Sequence, residues 1–585
     1  MDDDAVPPDL LRRAQDWHDD DPDPHTRAQL DALIGTARTG DPAALDDLAD
    51  RFAGTLEFGT AGLRGAMGAG PNRMNRAVVI RAAAGLAAYL NATVPGVPRL
   101  VVGFDARHES DRYARDTCAV AVGAGCVAMV LPRPLPTPVL AFAVRYLAAD
   151  AGVMVTASHN PPQDNGYKVY LGGRAATGPG DGTGVQIVPP ADAEIAAAIA
   201  AVGPVRQVPM ADDGWDTLDD GILAAYLEGA AAVVRPGGPR ALATVLTPMH
   251  GVGGDTAVRA LLAAGFDAPF VVPQQAAPDP DFPTVAFPNP EEPGALDLAL
   301  AAARERRADL VVANDPDADR CAVAVPDPAV PGGWRPLRGD ELGALIAEHV
   351  LAAGVPATVD GEPATVACSI VSSQLLARIA AAHGVRYAET LTGFKWIART
   401  PGLVFGYEEA LGYCVAPHLV RDKDGVTAAL LAAELAAGLA AGGRTMADAL
   451  DDLARAHGVH ATDQLSVRVS DLARITAAMA GLRAAPPARL GGAAVTAVDD
   501  LLHPRGGLPP TDGLRLRTAD DVRVVVRPSG TEPKLKCYLE AVVPTGAGGT
   551  LATARELAAA RELAAARLAA VRTDLATLLT PWTSA

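Results

Sequence analysis

A chain of 585 residues with a formal net charge of -19 at pH 7 has no general excess of basic groups, which argues against a nucleic-acid partner. Apolar residues make up 49% and aromatics only 4%, so the cores are built from Ala, Val and Leu. The acidic balance leaves an anionic substrate open, because a local group of Arg and Lys holds a phosphate on an acidic protein. At roughly 100–200 residues per domain the length predicts several domains.

The cysteines, at 118, 126, 321, 368, 414 and 537, form no CxxC pair and read as free thiols of a reducing compartment. The acidic N-terminus (MDDDAVPPDLLRRAQDWHDDDPD) has no signal-peptide apolar core, and no run of 18 uncharged apolar residues is present. A cytoplasmic protein with no membrane partner is expected.

In chain order, residues 1–45 read as a polar, helical N-terminal extension rather than a domain. Short aliphatic runs then alternate with Ala-rich helical stretches, the pattern of α/β units. The first, 46–210, predicts strands at 99–104, 127–131 and 152–156, helices at 111–125, 138–148 and 191–201, and a Gly-rich loop at 172–184. The second, 211–336, predicts strands at 241–247, 269–272 and 309–313 with helices at 254–265 and 294–307. The third, 337–460, predicts strands at 364–370, 385–390 and 403–406 with helices at 340–353, 425–441 and 445–457. The last, 461–585, changes to strand (465–470), helix (471–484), strands near 513–517, 522–527 and 535–542, and a closing helix containing a repeated RELAAA. That closing stretch predicts an amphipathic helix docked on a surface. The fold class is therefore three similar α/β domains with mixed sheets followed by an α+β domain.

Four motifs carry chemistry, each at a strand end or in a tight loop, where ligands gather in α/β proteins. TASHNPP (156–162) puts Ser158 at a strand's C-terminal end, with His159 beside it and Lys168 further on. A hydroxyl nucleophile needs a base and cationic help for a phosphate; the tripeptide alone also fits an ordinary polar turn. DPDADR (315–320) presents Asp315, Asp317 and Asp319 at i, i+2 and i+4, a spacing that turns three hard oxygen ligands onto one cation such as Mg²⁺. An EF-hand loop is excluded, since Arg320 and Pro326 occupy its obligatory Gly and Glu positions. Arg320 beside the acids suits a phosphate next to the metal. GYEEALGY (406–413) offers paired acids to sugar hydroxyls, and equally fits acids in the first turn of a helix. RPSGTEPKLK (527–536) gathers cations, hydroxyls and a Gly-flanked backbone into an anion cradle.

In that order these motifs resemble the α-D-phosphohexomutase superfamily. With FGTAGLRGAMGAGPNRMN (58–75), TGFKWI (392–397) and DKDGVTAA (422–429), the chain is similar to the branch containing phosphoglucomutase-2 and bacterial phosphoglucomutase/phosphomannomutases, over about 45–543. The resemblance implies four domains around a central cleft, and a phosphorylated Ser158 whose phosphate and the three aspartates hold Mg²⁺. By position it implies active-site roles for Arg64, His159 and Lys168, the last as proton carrier. It implies substrate contacts from Arg320, Thr392, Gly393, Lys395 and Glu408. Arg527, Ser529, Gly530, Thr531 and Lys536 then hold the substrate's non-reacting phosphate. The implied reaction interconverts hexose 1-phosphate and hexose 6-phosphate, of glucose or mannose, with a sugar bisphosphate as intermediate and activator. Ala410 stands where many hexomutases carry Ser, so pentose-phosphate mutation and sugar-1,6-bisphosphate synthesis remain alternatives. A phosphoserine-dependent phosphatase and a non-catalytic sugar-phosphate binder are the readings from other classes.

Overall fold

The computed structural model describes residues 6–60, 62–176, 182–469, 472–504, 507–529, 534–546 and 552–583. The chain divides into two compact units, Met1–Pro336 with Gly412–Ala437, and Leu337–Leu411 with Gly438–Ala585.

The first unit opens with three helices, Pro8–Asp20, Pro24–Arg38 and Pro42–Arg51, each with proline in its first turn, where a missing N–H costs nothing. Asp23 and Asp41 cap the second and third by accepting backbone N–H bonds. Leu10, Leu30, Ile34, Leu48 and Phe52 are buried together, so this segment carries an apolar cluster of its own. Its polar composition reflects the outward faces of short amphipathic helices.

Three parallel strands recur in one arrangement. In the first sheet Arg99–Phe104 lies between Val127–Val130 and Ala151–Val155. In the second, Thr244–Thr247 lies between Phe270–Val271 and Leu310–Ala313. In the second unit, Thr365–Ser369 lies between Arg386–Thr390 and Leu403–Glu408. Each time the first strand is central, the second flanks one side and the third the other. Such a reversal opens a crevice at the carboxyl ends of the strands. TASHNPP, DPDADR and GYEEALGY each fall at the carboxyl end of the third strand of their set.

Antiparallel strands make the first two sheets mixed: Asp164–Leu171 pairs with Ala151–Val155, and Ala322–Pro326 with Leu310–Ala313. Neither stretch reads as a strand from the sequence pattern. Asp164–Leu171 is buried along nearly its whole length and therefore shows no alternation. The strands expected at 241–247 and 269–272 are shorter than predicted, Thr244–Thr247 and Phe270–Val271. The strand expected at 403–406 runs on to Glu408.

The C-terminal domain is an antiparallel sheet in which Val459–Arg468, Lys534–Val543, Val522–Pro528, Leu514–Thr518 and Ala493–Asp500 are successive neighbours. The strand predicted at 465–470 begins at Val459. Helix Ala554–Thr583 buries Leu557, Ala560, Ala564, Leu568, Val571, Leu575 and Leu579 against this sheet's core, at spacings of three and four. This is the one-sided helix expected of the RELAAA stretch. All six cysteines are buried and unpaired. Among the described residues no single helix is long and apolar enough to cross a membrane; Gly425–Ala441 and Met446–His457 pass that test only as a bent pair.

Candidate active site

Ser158 sits in the first unit just beyond Ala151–Val155, with a left-handed backbone (φ 52) and 3% of its surface exposed. That conformation is costly for a residue with a Cβ. Thr156 Oγ1 accepts its N–H at 2.8 Å. The turned backbone aims Ser158 Oγ at Asp315, whose Oδ2 accepts the hydroxyl at 2.8 Å. His159 Nδ1 lies 3.2 Å from the same oxygen. Burial, with Arg320 and Arg64 nearby, holds the His159 imidazole well below its ordinary pKa, so it is a neutral ring at pH 7.

The three aspartates follow Leu310–Ala313 in a turn with Ala318 in the left-handed region (φ 53). All three are buried, and one carboxylate oxygen from each lies within 4.8 Å of the others. Asp317 Oδ2 accepts from Lys168 Nζ at 2.7 Å and Thr137 Oγ1 at 2.7 Å. Asp319 Oδ2 accepts from Lys168 Nζ at 2.9 Å and lies 3.4 Å from Lys423 Nζ. Asp317 Oδ1 and Asp319 Oδ1 are buried with no hydrogen-bond donor. Orphaned buried carboxylate oxygens are expensive, and two of them beside Asp315 and a serine hydroxyl form the hard, all-oxygen donor set that a divalent cation takes.

The electrostatics divide the triad. Burial and the two neighbouring aspartates push Asp315 well above its ordinary pKa. Burial pushes Asp317 and Asp319 up too, but Lys168, helped by the Thr137 hydroxyl at Asp317 and by Lys423 and Arg320 at Asp319, holds both below the usual carboxylate range. Lys168 is raised in turn: burial favours the neutral amine, and the attraction of Asp317 and Asp319 exceeds it. It reaches them because it lies opposite Met154 on the antiparallel strand. Arg64, on the neighbouring strand Leu63–Ala66, donates to Asn160 Oδ1 at 3.3 Å. Arg320 donates its backbone N–H to Asp315 Oδ1 at 3.1 Å, and its Nε lies 3.8 Å from Asp315 Oδ2. The structure thus brings Arg64, Ser158, His159, Lys168, Arg320 and the three aspartates together.

Thr137 and Lys423 are further site residues that motif reading does not assign. Lys423 lies within DKDGVTAA, so its signal was present in the sequence; Thr137, in a plain LPTPVLAF context, carried none. Asp422, beside Lys423, accepts from Tyr170 Oη at 2.9 Å and Gln186 Nε2 at 3.1 Å.

The aspartate turn is held by close backbone approaches. A Cβ on Gly251 would stand 2.3 Å from Pro316 Cα, and one on Gly425 would stand 2.2 Å from the Arg320 carbonyl oxygen and 2.7 Å from that of Ala318. Gly425→Ala must therefore push the turn off its position without removing a ligand. Its kcat/KM is expected to fall by about 10–100-fold, the usual cost of sub-ångström misplacement, with weakened divalent-cation affinity in a titration. Unchanged kinetics would mean that the turn yields at no cost.

In the second unit, Glu408 is the last residue of its strand and no helix follows, so the helix-start reading of GYEEALGY is incorrect. Glu408 Oε1 accepts the N–H of Gly393 at 3.2 Å, which joins it to Thr392 and Gly393 at the start of the short helix Phe394–Ile397 that carries Lys395. Gly393 has φ 103 and lies against the Lys395 side chain. Glu409 points the other way, accepting from Ser369 Oγ at 3.0 Å and Ser372 Oγ at 3.1 Å. Burial, then Glu408 and Asp340, push the Glu409 carboxyl up to about 7. In the C-terminal domain Arg527 and Lys536 are direct cross-strand partners. Two like charges so placed repel unless an anion lies between them. Ser529 follows, its N–H donating to the Lys534 carbonyl at 2.8 Å. Gly530 and Thr531 lie outside the described residues.

Models of phosphoglucomutase/phosphomannomutase α/β/α domains I, II and III match residues 55–203, 224–330 and 338–457, and the model of the C-terminal domain matches 465–557. A probable phosphomannomutase of Haemophilus influenzae is 46% identical over 80% of this chain and 93% of its own length. The phosphoribomutase of Saccharomyces cerevisiae is 39% identical over 73% of this chain and 71% of its own. The crystal structure of a putative phosphomannomutase from Thermus thermophilus superposes with a TM-score of 0.67 at 26% identity, covering 89% of this chain and 99% of that one. The chain belongs to the phosphoglucomutase/phosphomannomutase family, and it is an isomerase of that type, an intramolecular phosphotransferase.

Proposed function

We propose that this mutase interconverts hexose 1-phosphate and hexose 6-phosphate, of glucose or mannose, through a phosphorylated Ser158 and a sugar bisphosphate. The observation that carries the reading is the Ser158 hydroxyl bonded to Asp315 inside the buried aspartate triad. Asp315, Asp317, Asp319 and the phosphorylated Ser158 would hold Mg²⁺, which when bound neutralises charge on the transferring phosphoryl group.

The chain's own residues supply the rest. The phosphoryl group leaves Ser158 Oγ for the free hydroxyl of a bound sugar monophosphate, so one P–O bond breaks, one forms, and the proton lost by the sugar hydroxyl is matched by the proton that Ser158 Oγ gains. Lys168, positive while paired with Asp317 and Asp319, is placed to return a proton to Ser158 Oγ or to a sugar oxygen in the reverse step. Arg64, Arg320 and neutral His159 line the same space and add cationic and hydrogen-bonding support. Glu408 accepts from sugar hydroxyls, with Thr392, Gly393 and Lys395 beside it. Arg527 and Ser529, with Gly530, Thr531 and Lys536, grip the distal phosphate. A bisphosphate that turns end for end presents its other phosphate to Ser158, and added bisphosphate reloads a dephosphorylated enzyme. The domain boundaries read from the sequence, at 46, 211, 337 and 461, remain our division of the chain.

A second reading, mutation of pentose phosphates, is favoured by the likeness to the yeast phosphoribomutase and by Ala410, where no hydroxyl is available to a hexose. Sugar-1,6-bisphosphate synthesis is the third candidate. Side-by-side rates with glucose, mannose and ribose 1-phosphates, with Mg²⁺ and the matching bisphosphate, test all of them. We expect a hexose to lead in kcat/KM by at least about tenfold, the discrimination that one lost hydroxyl contact supports. Ribose 1-phosphate leading by that margin would overturn the hexose assignment, and phosphate release outrunning isomer formation would favour the phosphatase.

A further inference from the structure

Arg107 follows the central strand Arg99–Phe104 and belongs to none of the four motifs, yet its side chain is only 1% exposed. Its guanidinium is spent on the backbone of the Ser158 loop. Nη2 donates to the Ser158 carbonyl at 2.6 Å and also to the Asn160 carbonyl. Nη1 donates to the Pro161 carbonyl at 2.8 Å and the Asp164 carbonyl at 3.1 Å. Nε lies 3.4 Å from Asp105 Oδ2, and the Phe282 ring, itself buried, packs against the guanidinium at 4.9 Å. Asp105 is anchored in turn, its Oδ1 accepting from the Arg107 N–H at 3.0 Å and Ser110 Oγ at 2.7 Å.

A planar fork fits this task. Four carbonyls spread over seven residues turn toward one point, and each Nη of a guanidinium reaches two of them from a fixed plane. A lysine ammonium of equal charge offers three donors from a single atom and cannot span them. What the fork holds is the strained peptide that aims the nucleophile, because Ser158 adopts φ 52 and its own carbonyl is one of the four. If that peptide relaxes toward an ordinary conformation, Ser158 Oγ swings away from Asp315.

We infer that Arg107 is a positioning residue for phosphoryl transfer at Ser158: its guanidinium clamps the nucleophile loop through four backbone carbonyls and so keeps Ser158 Oγ on the aspartate triad. This inference rests on Ser158 being the phosphorylated group. It assigns no contact between Arg107 and the substrate, so the expected signature is a loss in kcat with KM preserved.

The test uses the full-length protein with Mg²⁺ and whichever of glucose, mannose or ribose 1-phosphate the wild type turns over fastest. Arg107→Lys is expected to lose about 30–100-fold in kcat with KM within about threefold, and to take phosphate onto Ser158 from glucose 1,6-bisphosphate more slowly by the same factor. Phe282→Leu, which loosens the guanidinium without touching the loop, is expected to lose about three- to tenfold in kcat, again at constant KM. Rates are referred to the folded fraction from thermal melts. Wild-type kcat in Arg107→Lys, a loss that vanishes on that correction, or a rise in KM matching the fall in kcat would overturn the inference. If Arg107→Lys does not fold, Phe282→Leu decides, and an unchanged kcat there overturns it. The underlying reading fails separately: a wild type without phosphate on Ser158, together with a fully active Ser158→Ala, would remove both claims. A phosphorylated, active wild type beside a fully active Arg107→Lys removes only this one.

Discussion

Ser158→Ala is expected to lose sugar-phosphate isomerisation by at least about 10⁴-fold, because no neighbouring group can take over a covalent phosphoryl intermediate. His159 Nδ1, 3.2 Å from the lost oxygen, is kept a poor base by burial with two arginines nearby, and Asp315, at 2.8 Å, is needed with the other two aspartates for the cation. The variant should fold, since removing a small hydroxyl leaves Asp315 Oδ2 with only one donor fewer. Intact-mass measurement supplies the second arm. Part of the wild-type population should carry about 80 Da of added phosphate, and the variant should carry none. Substantial isomerase activity in Ser158→Ala would end the phosphoserine mechanism, and phosphate located on another residue would relocate it.

Lys168→Met should have the next largest effect, on both activity and stability. The substitution keeps the apolar stem and removes the ammonium that lies 2.7 Å from Asp317 Oδ2 and 2.9 Å from Asp319 Oδ2. The two fully buried carboxylates then keep Lys423, at 3.4 Å from Asp319, the Thr137 hydroxyl on Asp317 and the more distant charge of Arg320. Removing one partner of a buried ion pair costs about 3–5 kcal/mol. A fall in Tm of about 4–7 °C follows for the unit that contains the site.

The same loss should change the pH dependence. In the wild type Asp317 and Asp319 are held below their ordinary pKa, so their contribution is present above the unfolded value of about 4 and is lost as acid approaches their lowered folded values. Lys168 is raised, so its share is complete below about pH 10.5 and is lost only at still higher pH. The variant lacks both contributions, so the gap in Tm should be widest near neutrality and close on acidification. With the competing ammonium gone, the triad should bind Mg²⁺ more tightly while kcat falls by about 10²–10⁴-fold, the range for a displaced proton carrier. Calorimetry with Mg²⁺ and melts across pH read these together. An unchanged Tm at pH 7 would mean that Lys168 is not what balances the triad.

The motifs differ in how much they disclose on their own. Asp315, Asp317 and Asp319 announce a cation because alternate residues of one tight turn converge whatever surrounds them. Ser158 does not, since Ser-His-Asn is as good a polar turn as a nucleophile until Asp315 stands 2.8 Å away. Glu408 and Glu409 read as an equivalent pair, and the strand that ends at Glu408 separates them. One faces the Gly393 loop, while the other is buried against Ser369 and Ser372. Asp164–Leu171 is illegible as a strand because both of its faces are covered and a lysine sits in its middle, which erases the alternation that marks a half-buried strand.

By itself the sequence determined the succession of α/β units and an α+β domain and the chemical inventory of each loop, because those depend on residue types within a few positions of one another, and the order of its motifs carried the resemblance to a mutase family. Only the tertiary structure decided which groups meet. Lys168, Thr137 and Lys423 converge on Asp317 and Asp319 from separate segments, and Arg107 reaches back to the carbonyls around Ser158. Those meetings set the charges of the site. A buried carboxylate is stabilised or strained by whatever cation lies within about 4 Å, and that distance is fixed by packing and strand register, which no local spacing encodes.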